Sequence, residues 1–290
     1  LHIDIKHQDF QKIAYMRDQA IVNRHLEKSK NAYVPAQIRH RDKTYDVKLR
    51  LKGDNIDHLH GEKWSYRIKV RSGDAFMGMK NFSVQHPKTR NFVFEWLFHR
   101  ALDREGIINL RYHFVNISVN GKDLGVFALE EHFEKRLLES NQRREGPILK
   151  FNEDVAWLTG TVSANGKYAY MTSPIDAFEK DKLRENPTLD AQFKKAAALL
   201  EAFRQGDLPT SEVFDVDKLA RYYAVTELMG ADHGNAFFNL RFYYNPITSR
   251  LEPIGFDANA GKAPVKDSKA SLWDPLRISR AAGSSSLRLF

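Results

Sequence analysis

Apolar and polar positions alternate in short runs through the first half of the chain and recur at helical spacing through the second. From Asp9 to Leu26 the apolar positions Phe10, Ile13, Ala14, Ala20, Ile21 and Leu26 predict an amphipathic helix. Tyr33 to His40 and Tyr45 to Leu51 alternate around the polar turn Arg41-Asp-Lys-Thr44, a hairpin pattern. Tyr66 to Val70 and Phe82 to Val84 extend the sheet. Phe92 to Ala101 is apolar nearly all round, which predicts a largely buried helix. Tyr112 to Val119 and Gly125 to Glu130 flank Asn120-Gly121, a strong hairpin turn, and Glu131 to Glu139 reads as a helix.

Beyond Lys150 the period lengthens. Pro187 to Phe203 is helical, with Thr188 or Asp190 as the expected N-cap. Val216 to Leu228 is helical, with Asp215 or Asp217 in that role. Leu240 to Pro253 then forms a hairpin, with aromatic residues in its first strand and its turn at Asn245-Pro246 and Thr248-Ser249. The expected organisation is a β-rich part over residues 1–150, a mainly helical part over 151–262, and a basic, Ser-rich tail over 263–290. No internal repeat is visible.

Composition narrows the chemistry. The 290 residues are 42% hydrophobic and 28% charged, which is globular rather than disordered. With no cysteine, disulfides, thiolate nucleophiles and thiolate metal sites are excluded. No apolar run is long enough to cross a membrane. The first residue is Leu1, so the chain reads as a segment of a longer protein, and the Ser-rich tail reads as a linker or as a segment whose packing partner lies beyond Phe290. The net charge of +8 suits a phosphate-rich partner, but the basic residues are spread along the chain and no nucleic acid is expected.

The most informative stretch is Asp232-His-Gly-Asn-Ala-Phe-Phe-Asn239, followed by the hairpin and by Ile254-Gly-Phe-Asp257. Phosphoryl transfer needs one carboxylate to orient or deprotonate the attacking hydroxyl, and an amide oxygen plus a second carboxylate to hold Mg²⁺. Asp232 suits the first role, and Asn239 and Asp257 the second. Hard oxygen donors suit Mg²⁺ or Mn²⁺. The hairpin would bring Asn239 and Asp257 to neighbouring strand ends. The bland alternative is that these residues cap and turn the chain. In the first half, Arg67 and Lys69 share one strand face and offer a basic floor for phosphates, or else a solvated sheet face. Glu130, at the end of a strand, is open to capping a helix, orienting a lysine or contacting a nucleotide.

Other patterns fail on inspection. Gly160 to Lys167 has one residue too many for a phosphate loop, and Tyr168 replaces the required hydroxyl residue. No Gly-x-Gly-x-x-Gly, Asp-Phe-Gly or Gly-x-Ser-x-Gly occurs, and His40-Arg41-Asp42 falls at the turn of the first hairpin with Val47, not Asn, five residues on. Asp57-His-Leu-His60 places two imidazoles on one strand face without a third ligand at a recognised spacing, and reads as a polar loop.

Several segments, in order, resemble the spore-coat protein H (CotH) kinase family. They are Leu49-Arg-Leu-Lys-Gly-Asp54, Lys63-Trp-Ser-Tyr-Arg-Ile-Lys69, Gly78-Met-Lys-Asn-Phe-Ser-Val84, Val119-Asn-Gly to Glu130, Gly146-Pro-Ile-Leu-Lys150, Asn239 to Pro246, and Ile254-Gly-Phe-Asp257-Ala-Asn259. Gly255-Phe256 stands where the family has Pro-Trp, and Asn259 where it has a second Asp. The resemblance implies an atypical, two-lobe protein kinase of α+β class, with a β-rich N-terminal half, a mainly helical C-terminal half and nucleotide between the lobes. It implies ATP and Mg²⁺ (or Mn²⁺) as cofactors and a Ser or Thr hydroxyl of a protein as acceptor. Asp232 is the candidate catalytic residue. Arg50, Lys69, Glu130 and Lys150 are the candidate nucleotide contacts, and Asn239, Asp257 and Asn259 the metal ligands. An envelope or extracytoplasmic setting is compatible with the lack of cysteine. The departures favour one alternative, a surface or coat component that keeps the fold as a non-catalytic binding module.

Overall fold

The structure is a computed structural model and describes residues 1–27, 32–53, 56–71, 73–152, 154 and 166–259. The phosphate-loop-like segment at 160–165 and the tail over 263–290 lie outside the described residues. The chain divides into two compact units, Leu1–Val93 with Leu110–His132, and Phe94–Asn109 with Phe133–Phe290.

The first unit is a closed seven-stranded barrel. Its strands are β1 (His2–Asp4), β2 (Val34–His40), β3 (Lys43–Leu51), β4 (Tyr66–Val70), β5 (Asn81–Gln85), β6 (Tyr112–Val119) and β7 (Lys122–Glu131). They run in the order β1-β2-β3-β4-β5-β7-β6. Every pairing is antiparallel except β1 with β6, which closes the ring in parallel. Asn120 and Gly121, both at positive φ, make the tight turn between β6 and β7. Alternation sorts each strand. Val47, Leu49, Leu51, Ile68, Phe82, Val84, Phe127 and Leu129 fill the interior, and helix α1 (His7–Asn23) adds Ile13 and Ala20 to the same core. The other parity, Lys48, Arg50, Arg67, Lys69, Ser83 and Glu130, therefore lies on the outer face.

The second unit holds a four-stranded antiparallel sheet. Its strands are β8 (Ile148–Phe151), β9 (Ile175–Ala177), β10 (Arg241–Asn245) and β11 (Arg250–Ile254), in the order β11-β10-β8-β9. Leu149, Phe151, Phe242, Tyr244 and Leu251 form its apolar face. That face packs on α6 (Pro187–Gln205), through Ala196, Leu200 and Phe203, and on Leu219 of α8 (Val216–Leu228). The remaining α-helices among the described residues are α2 (Phe94–Arg104), α3 (Lys135–Ser140), α4 (Gly166–Thr172), α5 (Lys180–Glu185) and α7 (Thr210–Val213). Among the described residues no helix is long and apolar enough to cross a membrane.

These findings correct several expectations. The two-lobe kinase arrangement, with a β-rich half and a helical half around a small hairpin, is not what the chain forms. Its strands close into a mixed barrel, and the hairpin β10–β11 is half of a true sheet. The reason is pairing over long sequence separations, which local patterning does not encode. The apolar helix begins at Phe94, because Phe92 adopts φ 58°, and only its Glu95-Phe98-His99-Leu102 stripe is buried. Phe92, Val93, Phe94, Trp96 and Leu97 stay partly exposed. The N-cap of α6 is Asn186, whose Oδ1 accepts from the amides of Thr188 and Leu189, rather than Thr188 or Asp190. Asp215 does cap α8. His58 and His60 do not share a strand face. His58 lies buried in a short 3-10 turn against Ser65 Oγ at 2.9 Å, while His60 is exposed.

Candidate functional site

Strand register sets the first cluster, on the barrel's outer face. Arg50 pairs with Arg67, Arg67 with Ser83, Ser83 with Glu130, and Glu130 with Tyr112. One row across five strands thus carries two guanidiniums, a hydroxyl, a carboxylate and a phenol. Just beyond the end of β3, Lys52 reaches into this row. Its Nζ donates to Gln85 Oε1 at 2.6 Å and lies 3.3 Å from Glu130 Oε1. Gln85 Nε2 donates to Glu130 Oε2 at 2.7 Å, and Arg90 Nε stands 3.9 Å from the same oxygen.

All of Lys52, Gln85, Arg90 and Glu130 are buried. Burial alone would raise the Glu130 carboxyl, but Lys52, Arg90, Arg67 and the Gln85 hydrogen bond outweigh it and bring it down to about 2. Burial first, and then Lys52 and Arg90, push the His58 imidazole down to about 2, so it is neutral and adds no charge. Burial draws the Arg67 guanidinium down to about 10, which leaves it charged at neutral pH. Three cations thus surround one carboxylate. Arg67 Nε and Nη1 and Ser83 Oγ are shut from solvent and meet no hydrogen-bond partner among the described residues. Buried donors left without acceptors are costly, and a surplus of positive charge beside them suits an anion.

The second cluster lies at the open end of hairpin β10–β11. The last pair, Arg241 with Ile254, brings Asn239 and Asp257 to the same end of the sheet, as the sequence predicts. A 3-10 turn over Asp232–Asn235 packs against the segment after β11. A Cβ on Gly234 would stand 3.2 Å from Phe256 O and 3.3 Å from Ala258 Cα, tight against that backbone, so glycine eases the approach. His233 links the pieces: its carbonyl accepts from Asn239 Nδ2 at 3.0 Å, and its Nε2 stands 3.7 Å from Asp257 Oδ1. Asp257 and Asn259 both take left-handed backbone, φ 47° and 50°, which Asp and Asn tolerate better than most residues. The buried carboxylate of Glu95 holds this turn, accepting from Ala258 N at 3.1 Å and Asn259 N at 3.0 Å.

Gly255 explains one family departure. Its amide donates to Ile108 O at 3.0 Å, a bond proline would forfeit, and a Cβ there would stand 2.0 Å from Leu102 Cδ1. Phe256, in place of tryptophan, meets Phe133 edge-on at 5.1 Å and lies under the Arg241 guanidinium at 4.9 Å.

The oxygen donors suit a hard divalent cation. Asp257 offers a carboxylate and Asn239 an amide whose nitrogen is already engaged. Asn235 Oδ1 is buried with no hydrogen-bond partner among the described residues, an acceptor a cation would satisfy. No group of three or more His, Cys, Asp or Glu converges among the described residues, so any ion here draws on amides as well. Asp232 is exposed and makes no hydrogen bond or ion pair among the described residues, which leaves its carboxylate available.

The expected residues therefore separate. Asp232, Asn239, Asp257 and Asn259 fall around one turn. Glu130 sits in the barrel cluster and orients a lysine, the second of its three possible roles. Lys69 is in a different row, over the Tyr33 ring at 5.2 Å. Arg50 donates to Leu51 O and stacks on that same ring. Lys150 sits on β8 between Arg241 and Asp176, with its Nζ 5.7 Å from the Phe178 ring. Sequence reasoning offered Arg67 as part of a basic floor for phosphates but missed Lys52 beside Glu130, Gln85, Arg90, Glu95, His233 and Asn235. Two faint signals were present: Lys52 continues the outward parity of Lys48 and Arg50, and Glu95 is a lone acid in an apolar run.

Among curated proteins nothing matches this chain. The family model described as CotH kinase protein matches residues 49–287, which includes every residue of both clusters. On that match, covering most of its length, the chain belongs to the CotH kinase protein family.

Proposed function

We propose that the protein transfers the γ-phosphoryl group of ATP to a Ser or Thr hydroxyl of a protein acceptor. The observation that carries this reading is the buried Lys52–Glu130 pair with Arg67 and Arg90 around it, a preassembled anion site with more cations than carboxylates. A lysine fixed by a glutamate is a recurring phosphate ligand in kinases. Lys52 and Arg67 take the phosphate oxygens, and Glu130 and Gln85 keep the lysine extended and aimed. Asp257 and Asn239, with Asn235, would hold Mg²⁺, and Asn259 lies one residue beyond Ala258 on the same turn. When bound, that ion neutralises phosphate charge. Asp232, exposed on the 3-10 turn, accepts or orients the hydroxyl proton of the acceptor.

The non-catalytic module remains the second reading, favoured by Asn259 in place of an acid. Thermal unfolding separates the two. ATP should raise the melting temperature further with Mg²⁺ than without it. Asp257→Ala should abolish that increment, because it removes the one full negative charge assigned to the ion. An equal increment in the variant would remove Asp257 from metal binding. No stabilisation by ATP at all would overturn nucleotide binding.

A further inference from the structure

Beside the Lys52–Glu130 row the barrel carries a second basic feature, Lys48, Lys69 and Arg50, that this chemistry leaves unused. On the outer face of β3 and β4, Lys48 pairs directly with Lys69 and Arg50 with Arg67. Like charges placed opposite each other across strands are destabilising. Neither Lys48 nor Lys69 forms an ion pair among the described residues. Three of the four cations gather on one ring: Lys69 Nζ is 5.2 Å, Lys48 Nζ 5.5 Å and Arg50 Cζ 5.5 Å from the centre of Tyr33. The ring's negative face moderates their repulsion without neutralising it.

The spacing points to an occupant. On β3, Lys48 and Arg50 lie two residues apart, about 6.6 Å. Alternate side chains of an extended polypeptide repeat at the same distance. A nucleotide phosphate at Lys52 does not account for this pair, since Lys48 is four residues away along the strand, about 13 Å. Single-stranded nucleic acid needs aromatic faces free for stacking, and Tyr33 is already covered by cations. We propose that the outer face of β3 and β4 around Tyr33 docks an acidic stretch of the acceptor protein, bound extended with carboxylates at alternate positions. The identification of the partner as an acceptor rests on the kinase reading; the docking itself does not.

The test uses the full chain, a fluorescent peptide with aspartate at alternate positions around one serine, and the same peptide with asparagine instead. Anisotropy at low salt should show binding of the aspartate peptide only, weakened by added salt. Lys48→Glu, at an exposed position, should weaken it on the order of tenfold and leave ATP-dependent stabilisation unchanged. Equal binding of both peptides, or unchanged affinity in the variant, would overturn the proposal. So would loss of ATP-dependent stabilisation in the variant, which would give the face to the nucleotide, or tighter binding of a single-stranded oligonucleotide than of the peptide. Binding is read without phosphate transfer. A chain that binds the aspartate peptide and transfers nothing supports the docking face and refutes the kinase reading. A chain that phosphorylates both peptides and binds them alike does the reverse.

Discussion

The barrel cluster and the turn after β11 both assemble polar groups, but they do it by opposite means. In the barrel, regular strand register brings Lys52, Gln85 and Glu130 together from positions up to 78 residues apart, and all three are buried. At the turn, irregular backbone does the work: a 3-10 turn with a glycine at its point of contact, two left-handed residues and a buried glutamate that grips two amides. The first arrangement ties its charges to the stability of the fold. The second leaves Asp232 exposed, so its chemistry is nearly independent of stability. Substitutions in the two places should therefore read out differently.

The largest stability effect belongs to Glu130. Glu130→Gln removes the one carboxylate among Lys52, Arg67 and Arg90 and leaves buried cations uncompensated. Breaking such a pair costs about 3–5 kcal/mol, and urea unfolding at neutral pH should show a loss of that order. A loss no larger than that of a surface substitution would mean the cluster is solvated, and the comparison would fail.

A smaller effect follows from His58. Its folded pKa lies far below its ordinary 6.5. The stability it contributes is therefore complete above pH 6.5 and lost progressively as pH falls from there towards 2. At pH 5.5 that loss is about 1 kcal/mol. His58→Gln should remove this part, so the drop in unfolding free energy between pH 7.5 and 5.5 should be smaller in the variant by that amount. Identical drops in the two proteins would show that His58 titrates normally.

How much of this was legible beforehand follows the same division. Strand alternation placed Arg67 and Lys69 on one face, and the Asn120-Gly121 turn fixed the β6–β7 hairpin. Closure of the barrel was invisible, because the parallel β1–β6 pair joins His2 and Ile3 to Ser118 and Val119 with no local signature. For the same reason the sequence points to Lys69 and gives no sign that Lys52 meets Glu130. Only the β5–β7 register, which sets Glu130 opposite Ser83 and diagonal to Gln85, selects the lysine that meets the carboxylate. The hairpin at Asn239 and Asp257 was legible because its two strands are adjacent in sequence. Glu95 was not, since it joins the turn from 163 residues away.

The central claim, that the exposed carboxylate on the 3-10 turn serves phosphoryl transfer, is tested by comparing the wild type with Asp232→Asn. The assay follows γ-labelled ATP with Mg²⁺ and an acceptor protein or the chain itself. The variant should melt at the wild-type temperature and bind ATP as well, while transfer falls about 10²–10⁴-fold, the contribution typical of a general base. Full transfer by the variant would remove Asp232 from the chemistry. No transfer by the wild type across a broad panel of acceptors would leave the chain a binding module.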